Sequence, residues 1–140
     1  MNTDCTLALD PNDDPHICYT ALNGDLKYAS WDGAAWSTQT VDSGYMGVGS
    51  SLAFDPAGNP HISYLNYTTI SPVEITDITL KYASWDGTSW SAQKVASANG
   101  DSSLVFDNNG TAHISCAGLL SVESGLFYYT LTTITPSPTP

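Results

Sequence analysis

The stretch "LKYASWDG" occupies residues 26–33 and recurs, letter for letter, at residues 80–87. Self-similarity at a fixed spacing marks a repeat architecture. A second element confirms the repeat: "LALDPNDDPHICY" (7–19), "LAFDPAGNPHISY" (52–64) and "LVFDNNGTAHISC" (104–116) align without gaps, 45 and 52 residues apart. The first element extends to "LKYASWDGAAWSTQTV" (26–41) and "LKYASWDGTSWSAQKV" (80–95), with "LFYYTLTTI" (126–134) a fainter third copy. The chain thus divides into residues 1–50, 51–101 and an incomplete third unit at 102–134. A Pro/Thr-rich linker, 135–140, ends it.

Each unit reads as four short strands. Residues 51–55 and 60–65 are β-rich runs around the Pro/Gly/Asn turn "PAGN", and residues 80–85 and 89–95 flank Asp86-Gly87, a strong hairpin signal. No apolar residues recur at helical spacing. Small and aromatic residues on both faces of "LKYAS" suit a sheet stacked between two neighbours. Four strands per unit, a period of 45–52 residues and sheets covered on both faces predict an all-β fold. The expectation is a β-propeller segment of about three blades, the third lacking its outer strand. A β-sandwich also uses short strands, but does not require near-identical repeats.

The pattern S-L-A-x-D-x-x-G-N-P-H-I-S-Y, followed by L-K-Y-A-x-W-D-G-x-x-W, resembles a blade repeat found in tandem in bacterial and archaeal, mostly extracellular, propeller proteins. The resemblance covers roughly residues 5–134 and implies a fold rather than an activity. The segment Ser84-Trp85-Asp86-Gly87-Thr88-Ser89-Trp90 also resembles the Asp-box of sialidase-type propellers, one residue shorter between Asp and Gly. In that family the box is a structural turn. Sialidases clamp a carboxylate with arginines, and this chain has none. The W-D-G-x-x-W turn is similar to that of fucose-binding propeller lectins, whose pockets use an arginine and a glutamate between blades; the missing arginine departs from that pattern.

Composition limits the partners. The 140 residues include 14 acidic side chains against three lysines, for a net charge of −11. Such a surface repels phosphate backbones and anionic lipids, so neither nucleic acid nor membrane insertion is expected. No stretch reaches the ~20 apolar residues of a membrane-spanning helix, and the first residues do not read as a signal peptide. Few charges with abundant Ser, Thr, Gly and Asn suit an extracellular or cell-surface protein. Three cysteines (Cys5, Cys18, Cys116) are too few and too irregular for a disulfide framework and are expected to be partly buried.

The chemistry-bearing residues repeat as regularly as the strands. Trp31, Trp36, Trp85 and Trp90 all sit in the W-D-G-x-x-W hairpins, where cross-strand packing accounts for them better than sugar stacking. Asp10/His16, Asp55/His61 and Asp107/His113 each lie six apart across the first hairpin. One pair per blade reads as a hydrogen bond fixing register, because no ligands converge from separate sheets into a metal site. No cofactor is expected; the acidic turns "DPNDDP" (10–15) and "DNNG" (107–110) give calcium only a weak claim. There is no nucleophile elbow, phosphate loop or zinc-protease motif. With only two glutamates, Glu74 and Glu123, a paired-carboxylate glycosidase would have to lean on aspartates.

An up-down blade places the repeated turns on one face of the propeller. The segments that differ between repeats fall on the other: 21–25, 65–79 and 117–125 between second and third strands, and 42–50 and 96–101 between blades. That variable face, with Tyr45, Met46, Tyr67, Glu74, Asp77 and Glu123, is the expected binding surface for a protein or glycan ligand. The function expected is a non-catalytic recognition, adhesion or display module, with a carbohydrate-binding lectin as the alternative. Three blades leave the ring open, exposing apolar residues such as Leu7, Leu9, Phe127 and Tyr129. Self-association to a six-bladed dimer, or a nine-bladed trimer, would close it; so would further blades upstream.

Overall fold

Strand after strand, the described residues run up and down through three separate antiparallel sheets. The computed structural model describes residues 4–43, 48–71, 74–98, 100–120 and 123–132. Blade 1 holds β1 (Cys5–Leu9), β2 (Pro15–Thr20), β3 (Leu26–Trp31) and β4 (Trp36–Asp42). Blade 2 holds β5 (Val48–Phe54), β6 (Pro60–Ser71), β7 (Glu74–Trp85) and β8 (Trp90–Ser97). Blade 3 holds β9 (Ser102–Phe106), β10 (Thr111–Leu120) and β11 (Glu123–Thr132). Strand order follows the chain within each sheet, giving four, four and three strands. This is an all-β propeller segment with a three-stranded third blade. Among the described residues no helix is long and apolar enough to cross a membrane.

The core lies between blades because each sheet offers apolar groups on both faces. Cys18, Leu26 and Tyr28 of blade 1 pack on Leu52, Ile62, Tyr64 and Ala83 of blade 2. The opposite face of blade 2, with Leu65, Leu80 and Tyr82, packs on Leu104, Ile114 and Cys116 of blade 3. Burying an aliphatic or aromatic side chain is worth about 1.5–3 kcal/mol, so these two layers dominate stability.

Polar bonds fix the stacking. Tyr64 Oη donates to Asp42 Oδ2, which also holds the Lys81 ammonium. Burial alone would push the Asp42 pKa up, but Lys81 and Tyr64 hold it below the ordinary carboxylate range. A bulge in the β3–β4 pairing beside Leu26, repeated in β7–β8 beside Leu80, lets the outer strand twist away from its partner.

Several expectations need correction. Residues 65–71, 74–79, 117–120 and 123–125 are paired strand rather than loop: β6 and β7 pair from Leu65↔Leu80 out to Ser71↔Glu74, and β10 and β11 pair out to Leu120↔Glu123. Both pairings extend well past the blade core, since Thr, Ile and Tyr favour a paired strand over an irregular loop. Phe127 and Tyr129 do not belong to the open face of blade 3. They alternate with Leu126 and Tyr128, which are 79% and 62% exposed, while Tyr129 packs against the blade 2–3 core. Cys5 is exposed, whereas Cys18 and Cys116 are buried. Trp31 and Trp85 are half-buried, and Trp36 is exposed.

Candidate functional site

On the face carrying the repeated turns, blades 2 and 3 build the same Asp–His–Tyr hydrogen-bonded unit, and blade 1 keeps its His–Tyr half. Asp55 opens the β5–β6 turn, and its Oδ1 accepts from the amides of Ala57 and Asn59 at 3.0 and 2.9 Å. Its Oδ2 meets His61 Nε2 at 3.1 Å, and His61 Nδ1 meets Tyr82 Oη at 2.6 Å. A carboxylate only accepts, so Nε2 carries the proton and Nδ1 accepts from the tyrosine hydroxyl. Burial holds the His61 pKa below the ordinary histidine value despite Asp55. Blade 3 repeats this with Asp107, His113 and Tyr128 at 3.0 and 2.5 Å. In blade 1 Tyr28 Oη lies 2.6 Å from His16 Nδ1, while Asp10 and His16 stand 3.4 Å apart without hydrogen-bond alignment.

The sequence spacing pointed to the Asp and His members of these units but missed the tyrosines, which lie 12 to 21 residues further on. The signal was present in the third position of L-K-Y and L-F-Y. Each histidine with a following blade also receives a phenylalanine from it: Phe54 on His16 at 4.8 Å and Phe106 on His61 at 4.6 Å between centroids. The units sit on separate sheets. Among the described residues no three of His, Cys, Asp and Glu come together as a metal-binding group.

The tryptophans pair within their hairpins, Trp31 with Trp36 at 5.6 Å and Trp85 with Trp90 at 5.7 Å. Trp90 additionally stands edge-on to Tyr28 of blade 1, and its indole N–H donates to Gln39 Oε1 at 2.9 Å. The hairpin turns are closed by Asp32 and Asp86, each accepting from two following amides at 2.8 Å.

A different arrangement occupies the opposite face. Where the inner strands of all three blades begin, a cleft of about 510 Å³ is lined by Asp4, Val48, Gly49, Ser50, Tyr67, Asp101 and Ser102. Asp4, Gly49 and Asp101 are equivalent positions of the three repeats. The glycine stands between two acids for a steric reason. Its φ is +60°, and a Cβ there would lie 2.9 Å from Asp101 Oδ1. Asp4 Oδ2 accepts from Ser50 N at 2.7 Å and Ser50 Oγ at 3.2 Å, leaving lone pairs of this carboxylate for another donor. Ser102 Oγ donates to Gly49 O at 2.9 Å and pairs with Ser63 Oγ at 2.8 Å. Burial, assisted by the Asp101 charge, raises the Tyr67 pKa and keeps its hydroxyl a donor.

Of the residues picked out by sequence, Tyr67 lines this cleft. Glu74 and Asp77 lie along the β6–β7 extension, opposite Ser71 and Thr68, and Glu123 starts the β10–β11 return opposite Leu120. Tyr45 and Met46 lie outside the described residues, as does the 135–140 linker. Gly49, Ser50 and Asp101 fall within the variable segments 42–50 and 96–101 without having been singled out, and Asp4 and Ser102 lie just outside them, because alignment presents all five as degenerate flanks of the repeat. An acid recurring three residues before Leu7 and Leu104 was the one available signal.

No protein-family model and no curated protein matches the sequence. Among solved structures, the chain is similar to a fucose lectin from Kordia zhangzhouensis determined in complex with methyl-fucoside. The superposition has a TM-score of 0.59 at 19% identity and covers 93% of each chain. At that identity the similarity establishes the shared fold.

Proposed function

We propose that this chain is a non-catalytic, extracellular carbohydrate-binding propeller module, with its saccharide seated in the cleft at the inner-strand starts. The composition of that cleft carries the reading. Two carboxylates, two serine hydroxyls and one tyrosine surround a volume in the range of small-molecule sites. Carboxylates accept hydrogen bonds from vicinal sugar hydroxyls, and a tyrosine supplies both an apolar ring and a polar tip. The fold shared with a fucose lectin supports the reading. With no arginine in the chain, recognition here rests on acceptors. Neutral or amino sugars fit such a site. Sialylated and sulfated glycans are repelled by Asp4, Asp101 and a net charge of −11.

The test is a glycan array followed by calorimetric titration of the full chain with methyl-fucoside, other neutral monosaccharides and glucosamine. Saccharide-dependent binding is expected, weakened more than tenfold in Asp101→Ala and severalfold in Tyr67→Phe, which removes the hydroxyl but keeps the ring packed on the core, at unchanged melting temperature. Binding that persists in both variants moves the site elsewhere. An array without any bound glycan sinks the lectin reading and leaves the broader one, a protein-recognition or display module using the whole variable face.

A further inference from the structure

The two outer faces of the three-blade arc are matching halves of a junction that the chain already makes twice. Blade 2 turns Leu52, Phe54, Ile62 and Tyr64 toward blade 1, where they are covered. The equivalent residues of blade 1 are Leu7, Leu9, Ile17 and Tyr19; of these Leu7 is 63% and Leu9 54% exposed. On its other side blade 2 turns Ser51, His61 and Tyr82 toward blade 3. Their equivalents in blade 3 are Ser103, His113 and Tyr128, and here too the surface is open, with Val105 58% and Tyr128 62% exposed.

We infer that a second copy of this chain covers both open faces head to tail, so that two chains close one six-bladed ring. Each existing junction specifies a contact of the new one. Leu9 of the second copy takes the place on His113 that Phe54 takes on His16 and Phe106 on His61. Ser103 accepts from the Leu7 amide of the second copy, as Ser51 Oγ accepts from Leu104 N at 3.0 Å. Asp101 accepts from the Cys5 amide of the second copy, as Asp4 accepts from Ser50. Ser115 meets the Cys5 thiol where Ser63 meets Ser102. The contacts are heterologous, and six blades fall within the range of about four to eight at which propellers close. Exposed leucines on one side and an exposed aromatic on the other supply the apolar driving force.

Light scattering and sedimentation of the full chain at micromolar concentration test this, with Leu9→Asp and Val105→Asp as variants. Both side chains are exposed in the single chain, so the circular dichroism of the fold is expected to persist. The parent is expected at twice the chain mass and each variant at the single mass. An equimolar mixture of the two variants is expected to recover a dimer through the one intact junction. The Cys5 thiol is expected to react with a thiol reagent at least tenfold faster in Leu9→Asp than in the parent. A monomeric parent overturns the inference, as it would if further blades of a longer chain were the natural cover. A trimeric mass overturns the six-bladed closure. A Val105→Asp protein that still dimerises shows face-to-face pairing instead. Equal Cys5 reactivity in the parent at low and high concentration contradicts the contact without relying on any variant.

Discussion

Asp55 and Asp101 are the same residue type on opposite faces of the propeller, and their surroundings differ in how much of each carboxylate the fold itself uses. Asp55 is 9% exposed, and its oxygens are engaged by two turn amides, the Asn59 side chain and His61. Asp101 is exposed and lines a cleft shared by all three blades. A carboxylate whose lone pairs are consumed by its own turn holds the chain together. One facing a cleft keeps lone pairs for a further donor. The face whose text repeats thus uses its carboxylates within its own turns, and the face whose text varies carries the cleft.

The largest effect that would break this contrast comes from Asp55→Ala. It strips acceptors from Ala57 N, Asn59 N and the buried His61 at once, and is expected to cost about 3 kcal/mol in urea-induced unfolding. Asp107→Ala, at a half-exposed site with the same partners, is expected to cost distinctly less. Equal losses at the two positions would show that burial does not set the worth of the turn.

Acid sharpens the comparison next. Burial lowers the His61 pKa in the fold below its unfolded value of about 6.5. The unfolded chain therefore binds the proton first, and this contribution to stability is complete above that pH and is lost as pH falls through the folded pKa. Burial pushes Asp55 upward, but the Asn59 amide and His61 bring it to a net depression, so its share disappears at still lower pH. The urea midpoint is expected to drop between pH 7 and 5 and again below pH 4. His61→Gln is expected to flatten the first step; an unchanged first step would assign it to another group.

The smallest effect is a gain. Gly58 and Gly110 occupy the left-handed position of the β5–β6 and β9–β10 turns, with φ of 86° and 80°, and blade 1 puts Asp13 there at φ 65°. A non-glycine residue in that region costs roughly 1 kcal/mol, partly recovered because aspartate tolerates it and glycine loses more chain entropy on folding. Asp13→Gly is expected to raise the melting temperature by about one to a few degrees and leave saccharide binding untouched. A loss of stability would mean that Asp13 makes a compensating contact in its turn.

What the sequence by itself determined is everything that must be spelled the same in each blade. The sheets, their turns at Asp55 and Asp86, the paired tryptophans and the Asp–His spacing follow from local hydrogen bonding and two-residue alternation. Those rules act within a few residues and so leave a repeating trace in the text. Only the tertiary structure decided that Tyr28, Tyr82 and Tyr128 bond the histidines, and that residues 65–71 pair with 74–80. It also decided that Phe127 faces inward while Tyr128 faces out, because strand register sets which side of a sheet a residue takes and a slip of one reverses it. The cleft was the least legible feature. Asp4, Gly49 and Asp101 are 45 and 52 residues apart, and stacking three inner strands side by side is what makes them neighbours.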